Sequence, residues 1–209
     1  MSKVEEVKAK VEAGKSKLVP GLVQEALDAG DAPQAILAGM IDAMSVVGEK
    51  FSKGEIFVPE MLIAAKAMAK GVEVLKPALA GEGSTSLGTC VIGTVAGDLH
   101  DIGKNLVSMM IESAGFDIVD LGVDVSAEKF VEAAKENDNV KLVACSGLLT
   151  TTMPALKEAV ATIKGSGLDV KVIVGGAPVT PEYAAEIGAD AYAPDAGTAA
   201  VKAKEVIGA

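Results

Sequence analysis

Apolar residues recur at helical spacing through the first eighty positions, then give way to short unbroken apolar runs. Residues 3 to 13 read as a short charged helix stopped by Gly14. Ser16 to Ala29 reads as a second helix, with Leu18, Leu22 and Ala26 on one face and Gln24, Glu25 and Asp28 on another. Pro20 falls in its first turn, where a missing N–H is tolerated, and Gly30 ends it. Asp31 is the expected N-cap of the next helix, with Pro33 just inside and Gln34 three residues on. That helix runs to about Phe51 with Ile36, Met40, Val47 and Phe51 along one stripe. A long helix, with Pro59 in its first turn, then reaches about Leu79. Residues 1–82 are therefore expected to form a small helical-bundle domain.

The stretch Gly81 to Ser86 is small, flexible and aperiodic, which reads as a linker. Beyond it, strand-length apolar runs fall at 87–95, 116–121, 140–145, 170–174 and 189–193. Amphipathic segments of helix length separate them, at 102–115, 126–137, 151–165, 181–188 and 196–207. Ser126 and Thr180-Pro181-Glu182 are good helix starts. Alternating βα units imply a parallel sheet covered on both faces. The class is α/β: over 87–209, a flavodoxin-like (Rossmann-like) doubly wound five-stranded parallel sheet following the bundle.

Composition narrows the partners. Half of the 209 residues are hydrophobic but only six are Phe or Tyr and none is Trp, so the core is aliphatic. A formal charge of −10 argues against nucleic acid and anionic membrane, both of which need clustered Lys and Arg. No apolar run approaches the ~18 residues of a membrane span. The N-terminus alternates charge with Val and Ala rather than resembling a signal peptide, so a cytoplasmic location is expected. Cys90 and Cys145 lie in strands, far apart, and read as buried reduced thiols.

The candidate chemistry sits where strands end. The loop after the first strand holds Asp98-x-His100-x-x-Gly103, including the only histidine in the chain. The loop after the third reads Ser146-Gly147-Leu148-Leu149-Thr150-Thr151-Thr152, and that after the fourth Gly175-Gly176-Ala177-Pro178. In a doubly wound sheet such loops converge on the ligand crevice. Each also has a plain reading: a solvated His, a helix-capping Asp, a Gly that lets its helix approach the sheet, a Ser/Thr cap, a Gly-Gly turn. Phosphate-loop and GxGxxG patterns are absent, and there is no second His for a zinc site. A single imidazole with a carboxylate two residues before it suits a metal held mainly by something else, the Asp orienting the ring through its other nitrogen.

Together, Asp98-x-His100-x-x-Gly103, then Ser146-x-Leu148, then Gly175-Gly176, in this order and at this spacing, resemble the signature of cobalamin-binding proteins that take the corrinoid base-off and His-on. The run Gly93 to Asn105 is similar to the methionine-synthase and methyltransferase corrinoid-protein subfamily. Met44 to Phe51 and Gly54 to Met61 resemble that subfamily's helical cap. The resemblance implies His100 as the lower axial ligand of cobalt and Asp98 as its hydrogen-bond partner, with Asp101, Ile102 and Gly103 completing the first motif. It implies Thr152 as the relay hydroxyl, in a place where methionine synthase has one six residues after the serine of the second motif. Ser146, Leu148, Thr150, Gly175 and Gly176 would line a channel for the displaced dimethylbenzimidazole tail. Phe51 and Val58 would cover the methyl-bearing face, ordinary bundle core being the alternative for both.

The implied function is that of a corrinoid methyl carrier cycling between cob(I)alamin and methyl-cob(III)alamin. A substrate:corrinoid methyltransferase would load it, from a methoxylated aromatic, a methylamine or a betaine. A second methyltransferase would unload it to tetrahydrofolate or coenzyme M, and a reductive activator would maintain it. The cap would move aside about the 81–86 linker. Two other classes are open to the same residues: a cobalamin-dependent sensor, which would carry a DNA-binding segment, and a flavodoxin-like module without a cofactor.

Overall fold

The structure, a computed structural model, describes residues 2–79 and 86–209. Apart from Ser86, the expected linker lies outside the described residues. The chain divides into two compact units, one carrying four helices, the other built on Ser86–Glu112 and Phe116–Ala209.

The helical unit comprises α1 (Lys3–Glu12), α2 (Val19–Asp28), α3 (Pro33–Ser52) and α4 (Val58–Leu79). Ser2 caps α1, its hydroxyl accepting from the Glu5 amide at 3.2 Å, which satisfies one of the orphan amides of the first turn. Buried Val7 and Val11 of α1, Val23 of α2, Ile36, Met40 and Met44 of α3, and Met61 and Met68 of α4 make an aliphatic, thioether-rich core. Asp31 does not cap α3. Gly30 sits at φ +91° and donates to the Leu27 carbonyl at 3.0 Å, while the Asp31 amide donates to Ala26 at 3.1 Å. This is a Schellman ending, and it uses Asp31 to close α2. Ala32 is left at the N-cap of α3 with no side-chain bond. The same motif closes α1 at Gly14 and α3 at Gly54.

The second unit alternates β1 (Thr89–Thr94), α5 (Ile102–Ser113), β2 (Asp117–Asp120), α6 (Ala127–Glu136), β3 (Val140–Ser146), α7 (Met153–Gly165), β4 (Lys171–Gly175), α8 (Pro181–Glu186), β5 (Ala191–Ala193) and α9 (Ala196–Ile207). All strand pairs are parallel, in the order β2-β1-β3-β4-β5. The long apolar runs form the three interior strands, buried on both faces, and the edge strand β2 is only half-buried. Val91, Val143, Val172 and Val174 pack with Phe130 of α6, Leu156 and Ile163 of α7 and Ala184 of α8 on one face. Side-chain alternation sends Ile92, Leu142 and Ile173 to the other, where α9 packs. The expected helix start at 151 resolves into a separate 3-10 turn, Thr150–Thr152, before α7.

Cys90 and Cys145 are free and buried. Burial pushes the Cys145 thiol up to about 12 and raises that of Cys90 further, with Cys145 nearby adding to the latter. A neutral, water-excluded thiol is a poor nucleophile. An aromatic disulfide reagent at about pH 8 should therefore label neither cysteine in the folded protein and both after unfolding. Rapid labelling of the native protein would contradict this burial.

Candidate cobalamin site

The three interior strands end together. Thr94 pairs with Ser146 and Ser146 with Gly175. The ladder runs past the strands, Val95 N donating to Ser146 O at 3.0 Å and Gly147 N to Gly175 O at 3.1 Å. The β1, β3 and β4 loops thus leave one sheet edge side by side. Gly176 makes this possible: its φ is +130°, and a Cβ there would fall 1.9 Å from the Gly147 carbonyl oxygen. Only glycine tolerates both the conformation and the approach.

Asp98 joins the first two loops. It is fully buried. Its Oδ1 accepts from the His100 backbone N at 3.1 Å and faces His100 Nδ1 at 2.7 Å. Its Oδ2 accepts from the Leu148 amide at 2.6 Å, the Leu149 amide at 3.3 Å and the Thr152 hydroxyl at 3.0 Å. Burial alone would raise the Asp98 carboxyl. The Leu148 amide, the His100 ring and amide and the Thr152 hydroxyl outweigh it, and hold the group well below the usual carboxylate range. Buried Thr152 also lies 2.9 Å from the Leu149 carbonyl, so its one proton has two acceptors.

The ionised carboxylate fixes the ring chemistry. Asp98 can only accept, so in the neutral ring Nδ1 carries the proton and the lone pair is on Nε2. Among the described residues nothing bonds Nε2, and the His100 side chain is 50% exposed. The loop backbone is held too: buried Thr94 donates its hydroxyl to the His100 carbonyl at 2.9 Å. At the start of α5, buried Lys104 bonds Asp120 of β2 at 2.5 Å and Asn105 at 2.7 Å.

The loops that meet at Asp98 expose several aliphatic side chains. Ile102 is 78% exposed and Leu99 72%, with Leu148 and Leu149 at 39%. A Cβ on Gly103 would meet no atom within 4 Å, so close approach of α5 to the sheet does not require glycine there. Among the described residues no group of three or more His, Cys, Asp or Glu could hold a metal ion. A metal bound through Nε2 would have to bring its other ligands with it, as a flat apolar macrocycle does. One oriented lone pair, bare glycine and exposed aliphatic side chains fit such a group.

The remaining sequence-predicted residues are more dispersed. Asp101 is exposed; its carbonyl accepts from the Asn105 amide at 2.8 Å and its carboxylate from the Asn105 side chain at 3.3 Å. Ser146 is half-buried at the end of β3, and Thr150 opens the 3-10 turn, exposed. Gly175 stands against Ala193, whose carbonyl oxygen a Cβ would approach to 2.7 Å. Phe51 and Val58 belong to the helical unit, in the last turn of α3 and at the first residue of α4. Neither joins the buried core there, and Val58 is 36% exposed. The Leu149 backbone amide escaped the sequence reading, since no residue type announces it. Thr94, whose hydroxyl holds the His100 carbonyl, escaped it too, inside a strand that reads as core.

A doubly wound sheet with this edge, preceded by a four-helix unit, defines a B12-binding architecture. Residues 88–203 match the family model described as the B12 binding domain, and residues 4–76 match a second model of the same description. The chain belongs to the corrinoid proteins of methyltransferase systems, and cobalamin is its cofactor. It is 43% identical over 196 residues, 92% of each chain, to dimethylamine corrinoid protein 1 of Methanosarcina acetivorans. Its structure is similar to a cobalamin-binding protein from Desulfitobacterium hafniense (TM-score 0.82, 30% identity, 97% of both chains). It is also similar to the methanol:cobalamin methyltransferase complex MtaBC of Methanosarcina barkeri (TM-score 0.83, 29% identity, 99% of this chain and 80% of that one).

Replacing Asp98 with Ala would strand the amide, ring and hydroxyl donors around it in a water-poor pocket. The cost should be about 3 kcal/mol or more, read from denaturant unfolding of the cofactor-free protein. The carboxyl is depressed on folding, so its contribution is complete above about pH 4 and is lost as pH falls through its lower folded value. The wild-type advantage over Asp98→Ala should shrink on acidification below that point. An advantage that grew there would contradict the ionised, hydrogen-bonded carboxylate.

Proposed function

We propose that the protein is a methyl carrier that binds cobalamin base-off, with His100 Nε2 replacing the cofactor's own lower base. Bound cobalamin supplies a cobalt that accepts a methyl group from one donor and yields it to another acceptor. The observation that carries the reading is the pairing of His100: Nδ1 is occupied by a buried carboxylate, and the half-exposed ring leaves Nε2 for a ligand.

Each residue then has a task. His100 would hold the cobalt through Nε2. Asp98 holds the ring in one tautomer and makes it a better donor, as a hydrogen-bonded carboxylate does for a metal-ligating imidazole. Thr152 and the Leu148 and Leu149 amides keep Asp98 ionised. Ile102 and Gly103 offer an apolar, unobstructed surface to the corrin, with Asp101 leading into the helix that carries them. Ser146, Leu148, Thr150, Gly175 and Gly176 line the path of the displaced tail. For Phe51 and Val58, on the helical unit, we propose the task of shielding the bound cofactor from water. Residues 1–82 and 87–209 act as cap and cofactor domains.

We assign a methylamine as donor, on the strength of the dimethylamine corrinoid relatives. Delivery would come from a substrate:corrinoid methyltransferase, and removal by a methyltransferase that uses tetrahydrofolate or coenzyme M. A reductive activator completes the set, in the cytoplasm. Among the described residues no helix is long and apolar enough to cross a membrane.

Reconstitution with hydroxocobalamin tests the axial assignment. The wild-type absorption spectrum should be that of base-off, imidazole-ligated cobalamin. The His100→Gly protein should still bind but lose the imidazole-ligated spectrum. Identical spectra for the two proteins would overturn the assignment.

A further inference from the structure

We infer that Asp124, in the loop between β2 and α6, is a positioning residue for the His100 ligand, acting through the backbone of Asp98. The inference rests on the axial role proposed for His100.

Asp124 is one of only two described non-glycine residues with positive φ, at +55°. Side chains with a Cβ occupy that region at a steric cost, and Asp and Asn tolerate it best. The conformation is held by bonds to the ligand loop at both ends of one residue. The Asp124 amide donates to the Asp98 carbonyl at 3.0 Å. Its Oδ1 accepts from the Gly97 amide at 2.7 Å. Gly97 and Asp98 are consecutive, so Asp124 grips the backbone that carries the Asp98 side chain. The adjoining Val125 amide donates to the Thr94 carbonyl at 2.9 Å, and a parallel bridge joins Val95 to Val125.

The geometry gives Asp124 a task distinct from that of the donors around the Asp98 carboxylate. The donors from the β3 loop fix where the carboxylate tip lies. Asp124 fixes where the backbone of Asp98 lies. With both ends held, the carboxylate has one position and the imidazole it orients has one direction. With the Asp124 carboxylate removed, the Gly97 amide one residue before Asp98 loses its acceptor, and the backbone that carries the Asp98 carboxylate, with the ring it orients, is free to shift. Asp124 is exposed, so its loss removes little core packing.

Three variants separate the possibilities. Asp124→Asn keeps both the left-handed tolerance and an acceptor oxygen. Asp124→Gly relaxes the left-handed backbone and removes the acceptor. Asp124→Gly combined with His100→Gly asks whether the effect passes through the ligand. Hydroxocobalamin binding is followed by absorbance titration, and amide exchange at Gly97 is measured in the cofactor-free protein. The Gly variant should bind about tenfold more weakly than wild type, within the range expected for loss of outer support to a metal ligand. Its Gly97 amide should exchange faster. The Asn variant should match wild type within about twofold, and Asp124→Gly should have no further effect in the His100→Gly background.

Wild-type binding by Asp124→Gly, while His100→Gly alone loses the imidazole-ligated spectrum, would overturn the role of Asp124 only. A tenfold loss that persists in the His100→Gly background would also overturn it. An unchanged spectrum in His100→Gly would remove the axial reading and this inference with it.

Discussion

The arrangement depends on one buried anion. Removing a carboxylate from water costs several kcal/mol unless hydrogen bonds replace the solvent. Asp98 is fully buried, and two loops supply its replacement solvent: the Leu148 and Leu149 amides and the Thr152 hydroxyl from one, the His100 amide and ring from its own. Each loop is therefore ordered by the other. The 3-10 turn Thr150–Thr152, which interrupts the expected start of α7, aims the Thr152 hydroxyl at the same oxygen that the Leu148 and Leu149 amides reach.

The sheet brings these loops within reach. In the order β2-β1-β3-β4-β5, β3 lies between β1 and β4, and parallel pairing ends all three at one edge. The register then decides the chemistry. Thr94 opposite Ser146 places Asp98 and Leu148 at similar heights, and Gly176 lets the fourth loop close against Gly147. Burial and exposure divide the work of the pair. The carboxylate is sealed and ionised, so it can only accept. The imidazole keeps its other nitrogen unbonded on a half-exposed side chain, in a site whose loops also expose Leu99, Ile102, Leu148 and Leu149. A histidine without that support would still be a base, but not one with a fixed direction.

Much of this was legible in the sequence, for a physical reason. The aliphatic runs of β1, β3 and β4 are long because interior parallel strands are buried on both faces, and the polar loops follow them abruptly. The spacing Asp98-x-His100 and the hydroxyl at Thr152 are side-chain signals, and side chains are what a sequence prints. What it does not print is backbone chemistry. The Leu148 and Leu149 amides, the left-handed conformation of Asp124 and the 3-10 turn before α7 depend on which carbonyls and amides meet. Asp31 failed for a related reason. It has the right residue type and spacing for a cap, but the Schellman closure of α2 at Gly30 takes its backbone first. Gly103 was read as a possible packing glycine, and the space beside it proved open.

Nuclear spin tests most directly whether His100 Nε2 is the axial ligand of the bound cobalamin. The chain has one histidine, so growth on histidine enriched in the heavy, spin-half isotope of nitrogen labels a single imidazole. The protein is loaded with unlabelled cobalamin, reduced to the cobalt(II) state, and its electron paramagnetic resonance spectrum is recorded. If His100 ligates cobalt, the triplet superhyperfine splitting of the unlabelled protein becomes a doublet on labelling. A triplet that survives labelling would mean that the cofactor's own base still holds the metal, and would contradict the account.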